Sequence, residues 1–265
     1  MTPAPLTDAR LRIGAVNYLN SKPLVCGLTA YAPNCQLLFD LPSRLADSLS
    51  AGRLDVALIP TVEYLRAADY QIVSDACVAS SDLVRSVKVY FRTTPERVTS
   101  LALDEGSRTS AALAQVLLAM RHNRRPRLSP LPIGDCAEAA EADAVLIIGD
   151  RAMSPPPTGF KSEWDLGAEW RRETGLPFVF ACWAAPRTGE AAALAPALAA
   201  ARDQGVGELP QIAAREAPKL GLTVDSAHEY LCQHLHYRLG GEERRAIELF
   251  ESHCRELGLV TPVEC

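Results

Sequence analysis

Apolar runs alternate with helix-like stretches along the first sixty residues, in the order RIGAV, KPLVCGL, CQLLFDL, RLADSLSAGR and LDVALIP. This rhythm predicts βαβ units and a mostly parallel sheet. VALIP and, further on, AVLIIGD are unbroken apolar runs, as expected of strands buried on both faces. Each ends in a turn or polar residue, which places Pro60 and Asp150 near the carboxyl ends of strands. Ligands of open α/β sheets bind at that end.

The pattern changes over residues 70–93, where YQIVSDACVASSDLVRSVKVYFRTT is β-rich and has no helical interval. A second α/β stretch follows, made of SLALDEG, a helix opened by Ser107, a strand near RLSPLPI, and AVLIIGD. After the β-rich FVFACWAAP at 178–186, the remainder reads as helix. These features predict two α/β lobes joined by strand-like crossings near 84–93 and 178–185. One lobe comprises residues 1–91 plus 181–265, the other residues 92–180, and a ligand cleft lies between them. In the C-terminal third, VDSAHEYLCQHLHYRL reads as one helix capped by Asp225 or Ser226, and GGEERRAIELFESHCRELG as another that stops at Gly258. Pro155, Pro156 and Pro157 mark a loop, and WDLGAEWRRETGLP a short helix anchored by Trp164 and Trp170.

Composition narrows the function classes. With 265 residues and 48% hydrophobic content the chain can fill one large or two medium cores. A formal net charge of -5, with RHNRRPR as the longest basic run, argues against nucleic acid as a partner and leaves room for a small anion at a local site. No signal-peptide core opens MTPAPLTDAR and no stretch approaches a membrane span, so a cytoplasmic protein with no membrane partner is expected. The eight cysteines are scattered without paired spacing, and the pair Cys232 and His236 alone is weak metal evidence. No motif fixes the oligomeric state.

Three stretches carry candidate chemistry. In DEGSRTSAAL, Gly106 permits an unusual backbone angle, Ser107 is a good N-cap, and the amides of residues 108–110 lack acceptors in their own helix. Those amides, the helix dipole, the hydroxyls of Ser107, Thr109 and Ser110 and the fork of Arg108 together suit a carboxylate. A plain helix cap needs only Ser107, and both readings stand at this level. In AVNYLNSKPL a strand runs into a helix near Lys22 and Pro23, and Asn20 or Ser21 has the chemistry of a cap. Ser86, at the start of the proposed crossing, faces either cleft or solvent. A nucleophile elbow, phosphate loop, zinc-protease pair and dinucleotide fingerprint are all missing from the sequence, and four of five histidines fall in the C-terminal helices.

Taken together and in order, GAVNYLNSKPL, LDVALIPTVEYL, LALDEGSRTSAAL, AVLIIGD and WDLGAEWRRETGLPFVFACWAA resemble the chorismate dehydratases of the futalosine route to menaquinone. The resemblance covers residues 11–186 well and the helical tail loosely. It implies a two-lobe fold like that of type II periplasmic binding proteins and a lyase without metal or organic cofactor. The family converts the dicarboxylate chorismate to 3-[(1-carboxyvinyl)oxy]benzoate by loss of water. The resemblance also implies catalytic roles for Asn20 and Ser86 and a substrate-binding role for Ser107, Arg108, Thr109, Ser110, Gly149 and Asp150. Asn17 departs from many relatives, which carry serine or another residue there. Two rivals remain at this level. One is a non-catalytic small-anion binder of the same fold. The other is the related 1,4-dihydroxy-6-naphthoate synthase, against which the lack of any histidine before His122 speaks.

Overall fold

A computed structural model describes residues 10–154 and 157–260. Residues 1–9 of MTPAPLTDAR, the stretch without a signal-peptide core, two of the three loop prolines (Pro155 and Pro156) and Cys265 lie outside the described residues. The first sheet has six strands in the order β11-β4-β10-β3-β1-β2, and the second has five in the order β7-β6-β8-β5-β9. In the first sheet these are β1 (Leu11–Val16), β2 (Cys35–Asp40), β3 (Val56–Pro60), β4 (Tyr70–Ser80), β10 (Phe178–Pro186) and β11 (His236–Arg238). In the second they are β5 (Val87–Phe91), β6 (Ser100–Asp104), β7 (Arg127–Leu131), β8 (Ala144–Ile148) and β9 (Ser162–Asp165).

The expectation of mostly parallel sheets needs correction. Parallel pairing joins β1 to β2 and β3, and β6 to β7 and β8. The strands that bring the chain back, β4, β5, β9, β10 and β11, pair antiparallel. Nor do the two β-rich stretches cross between the sheets as strands. Residues 87–91 pair with β8 and β9 in the second sheet, and 178–186 with β3 and β4 in the first. The segments that pass from one sheet to the other are therefore those just before β5 and β10. Backbone hydrogen bonding explains this: a buried strand must fill its ladder within one sheet.

The first crossing is held by Asp165, the cap of the helix Leu166–Thr174. Its carboxylate accepts from the amides of Val84 at 2.9 Å and Arg85 at 2.7 Å, as well as from those of Gly167 and Ala168 in its own helix. The approach is tight enough that a Cβ on Gly167 would stand 2.3 Å from the Asp82 carbonyl. Arg85 is thereby held in the left-handed region at φ 60°, a conformation unfavourable for a residue with a Cβ. Ser86 follows immediately.

Nine α-helices run through the described residues: α1 (Leu28–Tyr31), α2 (Pro42–Ser50), α3 (Thr61–Arg66), α4 (Arg108–His122), α5 (Leu166–Thr174), α6 (Ala195–Gly207), α7 (Leu209–Glu216), α8 (Val224–Glu229) and α9 (Gly241–Glu256). The C-terminal helices return to the first sheet, as expected, with α6 against β4 and α9 against β10. Trp170 of α5 meets Phe178 at 5.2 Å and Phe250 of α9 at 6.0 Å, edge to face, and so fastens the second crossing to the C-terminal helix. Such aromatic pairs contribute about 0.5–1.5 kcal/mol each beyond the area they bury. Trp164, the other expected anchor, lies on β9 rather than on the helix.

The tail is not wholly helical. Thr223, not Asp225 or Ser226, caps α8, which passes into a π-helical stretch Tyr230–His234 before the chain enters β11. His236 therefore lies on a strand, paired with Glu243 at 2.9 Å, and no longer shares a helix face with Cys232. The seven described cysteines are free.

Candidate active site

The carboxyl ends of β1, β3 and β8 meet at a cleft between the two sheets. Its walls carry Val16, Tyr18 and Asn20 from the first strand and the turn after it, Pro60 from the end of β3, and Gly149 from the end of β8. The first crossing supplies Ser86, and the start of α4 supplies Ser107 and Ser110. Phe180 and Ala181 of β10 close the back. Of the residues expected to form a site, the structure thus brings Asn20, Ser86, Ser107, Ser110 and Gly149 together.

Local chemistry explains each placement. After β1 the chain enters a 3₁₀ helix, Leu19–Val25, with Pro23 inside it. The buried Ser21 hydroxyl donates to the carbonyls of Val16 at 2.6 Å and Tyr18 at 2.9 Å, so it ties the turn instead of capping it. Asn20, freed from that task, lines the cleft. Ser107 is the N-cap of α4, accepting from the Ser110 amide at 3.4 Å, and its hydroxyl lies 3.0 Å from that of Ser110. The amides of Arg108 and Thr109, in the first turn, have no carbonyl partner in their own helix. The cap and the anion seat, which the sequence left as alternatives, are compatible here: Ser107 caps, and the open amides lie at the cleft end of a 15-residue helix.

Three expected residues do not line the cleft. The Arg108 guanidinium turns outward and is engaged by Asp47 at 2.8 Å and Glu63 at 3.2 Å, so its fork is not offered to a guest. Thr109 is fully buried and its Oγ1 accepts from the Val62 amide at 3.1 Å, joining the first turns of α3 and α4. Asp150 accepts from the Leu19 amide at 3.2 Å, bridging the two sheets behind the cleft wall, and burial raises its carboxyl pKa. In each case a neighbouring carboxylate or buried amide has claimed the polar group. Sequence spacing does not reveal such partners.

Sequence reasoning missed two tyrosines and one aspartate. Tyr18 spans the sheets: a Cβ on Gly149 would be 3.2 Å from its ring, and one on Gly106 3.3 Å from its hydroxyl. Gly149 has φ 75° and ψ -162°, a backbone state open almost only to glycine, and its amide donates to the Ser86 carbonyl at 2.8 Å. Burial, with Asp104 and Asp150 nearby, pushes the Tyr18 phenol up to about 12. The second tyrosine, Tyr230, is fully buried and donates its hydroxyl to Ser86 Oγ at 2.8 Å. Asp104 underpins the start of α4 by accepting from the Gly106 amide at 2.9 Å and the Ile148 amide at 3.1 Å, and it pairs with Arg151. Tyr18 had a signal, an aromatic residue just past a strand end; Tyr230, 144 residues from Ser86, had none.

The cleft wall holds no lysine, arginine or histidine. Its donors are neutral: hydroxyls, an amide side chain and backbone N–H groups. Such a set holds an anion by aimed dipoles in a partly dry setting, where each dipole counts for more than in water. Among the described residues no group of three His, Cys, Asp or Glu side chains is arranged to hold a metal ion, and no helix is long and apolar enough to cross a membrane.

Comparison with known proteins follows the same lines. A family model described as menaquinone biosynthesis matches residues 11–256. A chorismate dehydratase of Thermus thermophilus is 30% identical over 267 residues, an alignment covering 86% of this chain and 94% of that protein. One from Campylobacter jejuni is 27% identical, covering 93% and 98%. In fold, the chain is similar to the periplasmic aliphatic sulphonate binding protein SsuA of Escherichia coli, with a TM-score of 0.62 at 15% identity over 96% of this chain and 94% of that one. The likeness to SsuA bears out the two-lobe periplasmic-binding-protein architecture. Because the family match runs from the first strand to the last helix, the chain belongs to the menaquinone biosynthesis family.

Proposed function

We propose that the protein is a chorismate dehydratase, a hydro-lyase of the cytoplasm that converts chorismate to 3-[(1-carboxyvinyl)oxy]benzoate and water. The observation that carries this reading is the convergence of Asn20, Ser86 and the open end of α4 on one cleft of a chain similar throughout to chorismate dehydratases. The reaction loses a ring hydroxyl and a neighbouring ring hydrogen and gains an aromatic ring, so its barrier lies in proton removal. That hydrogen is activated through the ring diene and the ring carboxylate. Anchoring this carboxylate at Ser107, Ser110 and the first amides of α4 stabilises the negative charge that spreads into the ring.

The cleft wall offers no histidine and no carboxylate as a base. The substrate's own enolpyruvyl carboxylate, close to the carbon that loses hydrogen, takes the proton. Electrons of the broken C–H bond enter the ring, the C–O bond to the hydroxyl breaks, and the departing hydroxide leaves as water with that proton. Ser86 donates a hydrogen bond to the departing hydroxyl, and Asn20 orients the ring.

Incubation of the purified protein with chorismate tests the reading. The expected result is loss of chorismate matched by appearance of the benzoate product. A protein that binds chorismate and returns it unchanged would instead be a small-anion binder. An acidic residue whose removal abolishes turnover while leaving binding intact would replace the substrate as the base.

A further inference from the structure

Ser86 is met in the cleft wall by a second hydroxyl side chain. Tyr230 enters from the π-helical stretch Tyr230–His234, at the far end of the sequence, and its ring is fully buried. Single π-turns of this kind recur at functional sites because they re-aim one side chain. Its hydroxyl has one proton, given to Ser86 Oγ at 2.8 Å.

The consequence falls on Ser86. Its backbone is fixed on both sides, its amide donating to the Val84 carbonyl at 2.7 Å and its carbonyl accepting from Gly149 at 2.8 Å. The residue is 1% exposed and lies in the cleft wall. Once Oγ accepts from Tyr230, the serine proton is left for whatever occupies the cleft. A serine without that neighbour rotates among its staggered positions and can present a lone pair to the guest as readily as a proton.

We propose that Tyr230 is a positioning residue that, by donating to Ser86 Oγ, turns the serine into an obligate donor toward the leaving hydroxyl. The inference rests on the dehydratase reading of the cleft. It goes further by giving direction to the Ser86 hydrogen bond and by tying it to a residue of the C-terminal segment. Burial also pushes the Tyr230 phenol well up, so it stays protonated across the ordinary pH range. Neither hydroxyl is a base, which suits an elimination whose proton goes to the substrate.

The test is steady-state kinetics with chorismate on Tyr230→Phe, Ser86→Ala and the double variant, each checked for an intact melting transition. Tyr230→Phe removes one oxygen and keeps the ring. Its kcat should fall roughly 10- to 100-fold while KM stays within about threefold, because a misaimed donor is lost chiefly in the transition state. The double variant should be no slower than Ser86→Ala alone. A merely structural tyrosine would multiply the two losses. Wild-type kcat in Tyr230→Phe beside an impaired Ser86→Ala, or multiplied losses in the double variant, would overturn the positioning role and leave the dehydratase reading intact. Wild-type turnover in Ser86→Ala would overturn both the serine assignment and the positioning role built on it.

Discussion

Replacing Thr109 by valine separates the fold from the site at the residue where sequence and structure disagree most. The sequence placed this hydroxyl on the anion; the structure buries it completely and gives it the Val62 amide at 3.1 Å. Valine has nearly the same shape, so the change deletes an acceptor and leaves the amide of Val62, itself fully buried, without a partner. Leaving a buried donor unmet costs about 1–3 kcal/mol, and the added methyl returns up to about 0.8 kcal/mol through burial. The net loss is about 1–2 kcal/mol. For a chain of this size each kcal/mol lowers the melting temperature by about 2–4 °C, so a fall of about 2–8 °C is expected. Thermal unfolding followed by circular dichroism measures it, and KM for chorismate should remain within about twofold because the side chain does not reach the cleft wall. An unchanged melting temperature combined with a tenfold rise in KM would refute the reasoning and return the hydroxyl to the anion.

Other positions give equally definite outcomes. Arg108→Gln should leave KM within about twofold, since the guanidinium is held by Asp47 and Glu63; half-exposed ion pairs of this kind contribute about 0–1 kcal/mol, so only a slight drop in melting temperature is expected. Ser110→Ala, by contrast, removes a cleft hydroxyl and should raise KM several-fold with little change in melting. Gly149→Ala must hold an alanine at φ 75° with its Cβ 3.2 Å from the Tyr18 ring; a stability loss of about 1–3 kcal/mol, read by urea unfolding, should accompany a marked fall in turnover because Gly149 also binds the Ser86 carbonyl. For Tyr18 the folded phenol titrates near 12 while the unfolded one titrates near 10, so the folded state keeps its proton longer. Stability from this group is complete below about pH 10 and is lost as pH rises toward 12, and Tyr18→Phe should flatten that part of the stability profile.

Much of this molecule is legible in its sequence, and the gaps have physical causes. Buried strands such as Val56–Pro60 and Ala144–Ile148 announce themselves because both faces are apolar, and the start of α4 because Ser107 precedes a long apolar helix. The carboxyl ends of those strands then locate the cleft. What stays hidden depends on partners distant in sequence. Arg108 looks like an anion ligand until Asp47 and Glu63 are beside it, and Thr109 until the Val62 amide arrives. Strand direction in the crossings is equally hidden, because an apolar run carries no sign of parallel or antiparallel pairing. His236 was drawn into a helix by its neighbours' composition, whereas pairing with Ala79 of β4 makes it a strand. Tyr230 could be found only by folding the chain, since its meaning lies wholly in the serine it touches.

The central claim is that a cleft of neutral donors seats a carboxylate of chorismate at the amino end of α4 and faces Ser86 toward the hydroxyl that leaves. A crystal structure of the complex with 3-[(1-carboxyvinyl)oxy]benzoate tests this most directly. The account predicts the ring carboxylate within hydrogen-bonding distance of the Ser107 and Ser110 hydroxyls and the first amides of α4, with Ser86 beside the carbon that lost oxygen. A product carboxylate paired with Arg108, or a ring lying outside the wall formed by Tyr18, Ser86 and Gly149, would contradict it.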